Sequence, residues 1–164
     1  MTVGIRPAVV GDLAGIVAVF LACWRHSYAG VLPEAVVAGM SDTEATALWT
    51  NALAAPGGHP LVAVVPDGTI VGVTRHDRVD TVQSLYVAPD TQRLGVGTRL
   101  LSAAVEALRA AGADIVRLWV FADNTAALSF YRRHGFTPDG TTRVEDAYGI
   151  EELRLARPTE SEAP

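Results

Sequence analysis

The chain of 164 residues contains no lysine; all 13 of its basic residues are arginine. That absence excludes a Walker-type phosphate loop, whose glycine run must end on Gly-Lys-Ser/Thr. A single cysteine, Cys23, leaves no intramolecular disulfide framework and no multi-cysteine metal site. Cys23 stands in an apolar stretch and reads as an inert buried thiol, not a nucleophile. No Gly-x-Ser-x-Gly elbow is present to form an acyl-enzyme. His26, His59, His76 and His134 are scattered without metal-ligand spacing, so no metal is expected. His76 with Asp77 reads as a surface turn. The net charge is -5 and the arginines do not cluster, which argues against a nucleic-acid partner. The apolar run "LAGIVAVFLACW" (13–24) falls short of the roughly 20 residues that span a bilayer. It follows Arg6 and Asp12 and leads into "RHSY" instead of a small-residue cleavage site, so no signal peptide and no membrane partner are expected. The chain reads as cytoplasmic.

What is present suits one folded domain. Hydrophobic residues make up 49% and charged residues 19%, a balance that fills a core. The expected domain spans 1–157, with 158–164 as a disordered tail. "VGIRP" (3–7) reads as a strand, and Asp12 is placed to cap the next helix, whose apolar stripe runs Leu13, Ile16, Val17, Phe20, Leu21, Trp24. Ser41 and Glu44 form a capping-box pattern ahead of a second stripe, Ala45, Leu48, Trp49, Ala52, Leu53. "APGG" (55–58) breaks that helix. Strands follow at 61–65 and 69–75 around Asp67-Gly68, then at 81–87 and 115–121. Helices are expected from the glycine loop to Gly112 and over 124–134, and a final strand pair around Phe136 and over 149–156. The order gives an α/β sandwich with a mixed sheet.

"QRLGVGTRLL" (92–101) places two glycines at a helix entrance. A dinucleotide fingerprint would need a third glycine and a position near the first strand, and has neither. A plain tight turn explains the glycines by backbone geometry alone. A pyrophosphate held on helix-start amides explains them by close approach. Asn124 and Tyr131 stand seven positions apart, nearly two helical turns, and so share one face. Taken singly they read as an N-cap and a core aromatic.

"LYVAPDTQRLGVGTRLL" resembles the acetyl-CoA-binding core of the GNAT family of N-acetyltransferases, with Gln92, Gly95 and Gly97 on its fixed positions. "LWVFADNTAALSFYRRHGF" is similar to the family's second signature segment. "WRHSYAGVLP" and "EATALWTNAL" resemble a common bacterial branch. The resemblance runs from about Ile5 to Leu155. It implies a mixed, largely antiparallel central sheet flanked by helices, with a splay between the fourth and fifth strands. It implies acetyl-CoA as co-substrate, its pyrophosphate on the amides of Arg93, Leu94, Gly95, Val96, Gly97 and Thr98. The pantetheine arm would pair with the backbone of Leu85, Tyr86 and Val87, with Gln92 and Asn124 completing the cofactor site. Arg93, ahead of Arg132 or Arg133, would meet a CoA phosphate. Transfer would pass directly to a primary amine of a small molecule or peptide, with Tyr131 as the acid that protonates the leaving thiolate.

The attacking amine must be neutral, whereas an alkyl amine has a pKa of about 10 by analogy with lysine. Many relatives place a Glu on the central strand to take its proton; Thr81 or Gln83 stands near that position here, and neither is a base. Asp80, Glu34, Glu145 and Asp146 remain candidates, and none is assigned. Trp24, His26, Tyr28 and Tyr148 are expected to line the acceptor pocket. Bulk at Leu85, Leu118 and Leu128 bears on acyl size. A homodimer through the apolar first helix, a non-catalytic acyl-CoA sensor, and an acyltransferase with another acyl group or acceptor stay open.

Overall fold

The computed structural model describes residues 2–56 and 59–160. Among these, seven strands are found: β1 (Gly4–Pro7), β2 (His59–Val64), β3 (Ile70–His76), β4 (Thr81–Val87), β5 (Ile115–Phe121), β6 (Thr137–Glu145) and β7 (Ile150–Pro158). Five α-helices accompany them: α1 (Leu13–His26), α2 (Glu34–Gly39), α3 (Asp42–Ala54), α4 (Val96–Ala110) and α5 (Thr125–Arg133). The strands form one sheet in the order β1-β2-β3-β4-β5-β7-β6. Every neighbouring pair is antiparallel except β4 with β5, which is parallel. This is the mixed, largely antiparallel sheet flanked by helices that the sequence implied.

Packing puts a helical layer on each face. Ile16, Phe20 and Trp24 of α1 join Trp49 of α3 and Val62 and Val73 of the sheet in one buried cluster. On the other face Leu100 of α4 packs with Ala63 and Val71, and Leu101 and Leu108 join Leu128, Phe136 and Leu155. Gly72 makes the α4 approach possible: a Cβ there would lie 2.7 Å from Leu100 Cδ1. The apolar side of α1 is thus spent on the core.

The parallel pair carries the splay. β5 is held along its whole length by β7, from Ile115 opposite Pro158 to Phe121 opposite Glu152. It meets β4 only at Thr81–Arg117 and Val82–Leu118. From Gln83 onward the two strands diverge, leaving the β5-facing side of β4 without a strand partner.

Several local expectations need correction. Asp12 occupies the N-cap position of α1 but makes no side-chain cap bond. Its carboxylate instead accepts from Arg6 at 2.7 and 2.9 Å and from the Val9 amide at 2.8 Å, tying β1 to the helix entrance. The Ser41/Glu44 capping box forms as expected, yet Leu48 of that stripe is exposed. α2 was not foreseen. β7 runs through Pro158, and the Thr159 amide bonds Asp114 O at 2.9 Å, so the chain is paired beyond residue 157. Residues 161–164 lie outside the described residues, as do Gly57 and Gly58 of the expected helix break. His76 is buried, not at the surface; Asp77 does organise the turn, accepting from the amides of Val79, Asp80 and Thr81.

Candidate active site

The splay opens into a cleft of about 1000 Å³ lined by both walls of the sheet, the α4 entrance, α5 and the exit of α1. All four tyrosines of the chain, Tyr28, Tyr86, Tyr131 and Tyr148, face it.

One end is built from the turn before α4. Gly95 holds the N-cap position in a left-handed conformation, φ 82°, and, having no side chain, caps nothing. The first intrahelical bond there is Arg99 N–H to Gly95 O at 3.1 Å, so the amides of Val96, Gly97 and Thr98 have no acceptor within the helix. Those amides and the dipole of a helix of 15 residues make a fitting cradle for an anion. Arg93 also takes a positive φ, 70°, in the same turn. The two glycines answer different demands. A Cβ on Gly95 would meet open space, whereas one on Gly97 would lie 3.3 Å from Phe130 Cζ. Gly97 is small because α5 packs on it. Two side chains of the expected set point elsewhere: Leu94 is exposed, and Val96 is buried against the sheet. Only their backbone belongs to the turn.

His134 locks this turn to α5. Its Nδ1 lies 2.8 Å from Phe130 O and its Nε2 2.9 Å from Thr98 Oγ1. A carbonyl only accepts, so Nδ1 carries the proton; in the neutral ring Nε2 then accepts from the Thr98 hydroxyl.

Along the free edge of β4, the Val87 carbonyl is already used. It accepts from Gln92 Nε2 at 3.0 Å and from the Cys23 thiol at 2.9 Å. Gln92 therefore shapes the turn by holding β4. The Ala88 N–H to Val71 O bond sets the alternation so that Tyr86 spends its backbone groups on β3, leaving those of Leu85 and the Val87 N–H on the free edge. Burial pushes the Cys23 thiol up to about 11, consistent with an inert role. Asn124 caps α5, its Oδ1 accepting from the Ala127 amide at 3.1 Å; its side-chain nitrogen is what remains for a ligand.

Tyr131 packs against Phe130 and Phe136 at centroid distances of 5.3 and 5.9 Å. Burial, reinforced by Tyr86, holds its hydroxyl far above the ordinary value, so it stays protonated at neutral pH. Tyr28 lies 5.3 Å from Trp24 and 5.6 Å from Phe121, ring to ring, and thus bridges the two walls of the cleft. Burial raises its hydroxyl as well, and pushes that of Tyr86 up to about 12. Trp24 offers only its ring, since its indole N–H donates to Val37 O at 3.1 Å. Tyr148 meets Trp24 at a tilt, ring centroids 5.6 Å apart.

The other sequence candidates divide between the cleft and its surroundings. His26 borders a separate groove beside Ala88 and Asp90. Asp80 pairs with Arg117 at 2.7 Å and accepts from Thr81 Oγ1. Glu34, Asp146, Thr81 and Arg132 do not line the cleft, whereas Glu145, Gln83 and Arg133 do. Sequence reasoning missed Arg75, Trp49, Ser84, Trp119, Arg143 and Glu152, all on the cleft wall. Glu152 is buried and paired with Arg143 at 2.9 Å, whose guanidinium lies 4.1 Å from the Trp119 ring centroid.

A parallel strand pair that splays beside an uncapped helix N-terminus, with a tyrosine across the gap, defines a class of acyl-CoA-dependent transferase folds. The comparisons agree. The model of the acetyltransferase (GNAT) family matches residues 21–136. An L-methionine sulfoximine/L-methionine sulfone acetyltransferase of Pseudomonas paraeruginosa is 30% identical over 148 residues, covering 85% of this chain and 83% of that protein. An uncharacterized N-acetyltransferase of Methanocaldococcus jannaschii is 34% identical over 79 residues, so the match spans 48% of this chain but only 35% of that relative's length. The crystal structure of a GCN5-related N-acetyltransferase from Rhodopseudomonas palustris superposes with a TM-score of 0.80 at 26% identity, covering 96% of both chains. The chain belongs to the GNAT acetyltransferase family.

Proposed function

We propose that this chain transfers an acetyl group from acetyl-CoA directly to the primary amine of a small molecule. The observation that carries the reading is the meeting, in one cleft, of the uncapped α4 entrance, the free edge of β4 and the protonated Tyr131. The amides of Val96 to Thr98 suit a diphosphate, and Arg93 and Arg133 stand at the same end for a further phosphate. Leu85 and the Val87 N–H offer backbone groups to the amide-bearing pantetheine arm. The relative that acts on L-methionine sulfoximine and sulfone supports a small acceptor.

Bound in this cleft, acetyl-CoA supplies an acetyl thioester open to attack by a neutral amine. Tyr131 gives its phenolic proton to the sulfur as the C–S bond breaks, and the high pKa that burial imposes keeps that proton in place until then. The amine's own proton leaves by water. Of the two carboxylates found on the cleft wall among the described residues, Glu152 is tied to Arg143, so Glu145 is the acceptor we assign to it. No side chain forms a covalent intermediate.

The test is thiol release from acetyl-CoA across an amine panel, with calorimetry of acetyl-CoA binding alongside. Tyr131→Phe is expected to bind acetyl-CoA as the wild type does and to lose most of kcat. Unchanged turnover would remove Tyr131 from the mechanism, and absence of acetyl-CoA binding by the wild type would overturn the reading.

A further inference from the structure

Three polar side-chain atoms among the described residues are buried without a hydrogen-bond partner: Arg75 Nε, Ser84 Oγ and Trp49 Nε1. All three residues line the cleft. Arg75 on β3 and Ser84 on β4 are direct cross-strand neighbours, and the Arg75 guanidinium carbon lies 5.9 Å from the Trp49 ring centroid. They therefore form one patch. Buried polar groups are almost always paired, because an unpaired one costs stability; three together need an occupant.

The patch is cationic. Arg75 makes no ion pair among the described residues, although six other arginines do. Burial lowers its pKa, a sign that its charge lacks compensation, and the Trp49 face offsets that only in part. The patch is also on the wrong side for the coenzyme diphosphate. Arg75 shares its sheet face with Val73, which packs with α1 and α3, whereas the diphosphate cradle is the start of α4 on the opposite face. A guanidinium fork with one hydroxyl beside it matches a planar carboxylate; a dianionic phosphate would call for more than one cation.

Position decides how far that carboxylate lies from the reacting nitrogen. Ser84 is two residues beyond Val82, the last β4 residue paired with β5, so the patch stands where the splay begins. Phe20, Trp24, Trp49, Tyr28 and Tyr86 fill the remainder of this end with rings. We infer that the acceptor is an amino carboxylate, a free α-amino acid with an uncharged side chain, held by Arg75 and Ser84 through its carboxylate while its amine faces the thioester. This rests on the acetyltransferase reading and names its substrate class.

The test measures CoA release with the free proteinogenic L-amino acids and, for each that reacts, with its α-amide and its decarboxylated amine. The amide and amine are expected to fall about 10- to 100-fold in kcat/KM below the acid, the loss of a charge-assisted bond. Arg75→Gln is expected to lower kcat/KM for the acid by a similar factor and to bring the acid-to-amide ratio near one, with Arg75→Lys between. Acetyl-CoA binding by calorimetry shows that each variant is folded. Equal use of acid and amide, an unchanged ratio in Arg75→Gln, or acetyl-CoA binding without turnover of any amino acid each overturns the inference while the cofactor reading stands. Failure of the wild type to bind acetyl-CoA overturns that reading instead.

Discussion

At Gly72 a methyl group would meet Leu100 Cδ1 at 2.7 Å, Tyr86 O at 3.2 Å and Val96 Cγ1 at 3.2 Å. Leu100 can yield; the β4 carbonyl cannot move without disturbing the sheet. Gly72→Ala is therefore expected to destabilise by about 1–3 kcal/mol, read as a lower urea midpoint at an unchanged slope. Gly95 fails differently: its neighbourhood is open, but φ of 82° disfavours any Cβ. Gly95→Ala is expected to cost about 1–2 kcal/mol and to weaken acetyl-CoA binding several-fold in calorimetry, because the turn must deform. At this scale the sequence was a partial guide. Gly95, Tyr131 and Asn124 were legible because fixed spacing within a turn or helix places them. Gly97 was legible as a glycine but not for its reason, contact with Phe130, which depends on how two helices meet. Arg75 was illegible: in "TIVGVTR" it reads as the polar end of a strand, and its pairing with Ser84 is a matter of register.

The segment joining β1 to α1 is pinned by Asp12. The Arg6 guanidinium, ahead of the Val9 amide, holds the Asp12 carboxyl below the ordinary carboxylate value, despite its burial. Its unfolded pKa, near 3.9, is then the higher of the two. The stabilisation is present in full above that value and is lost as pH falls through the depressed folded pKa, where the unfolded chain takes up the proton first. Asp12→Asn is expected to lower stability by about 1 kcal/mol at pH 6, with wild type and variant converging in urea midpoint as pH drops below about 4. Among elements, helices with a long apolar stripe were readable, as α1 and α3 show. α2 is too short to display a stripe. β6 is exposed along almost its whole length, so no alternation marks its bounds. The order β5-β7-β6, which gives β5 its continuous partner and thereby frees β4, arises from contacts distant in sequence.

The core falls into two main clusters, joined at the short parallel seam and by α4, which also packs across β2 and β3. One cluster gathers α1, α3, β2 and β3; the other gathers α4, α5, β5 and β7. A ligand in the cleft touches both. Acetyl-CoA at 100 times its Kd should add about 2.7 kcal/mol to unfolding by mass action, visible as a raised Tm. Hydrogen exchange should slow most at the amides of Leu85, Val87 and Val96 to Thr98, and protection confined to the α4 entrance would count against strand-like pairing by the pantetheine arm.

The turn before α4 sends Leu94 into solvent and Val96 into the core, and presents its peptide groups to the cleft. An anion held there, as proposed, would be read by the path of the main chain, not by the alphabet hung upon it. Replacing the exposed Leu94 is then expected to leave that grip intact, while a torsion shifted at its neighbour Gly95 loosens it.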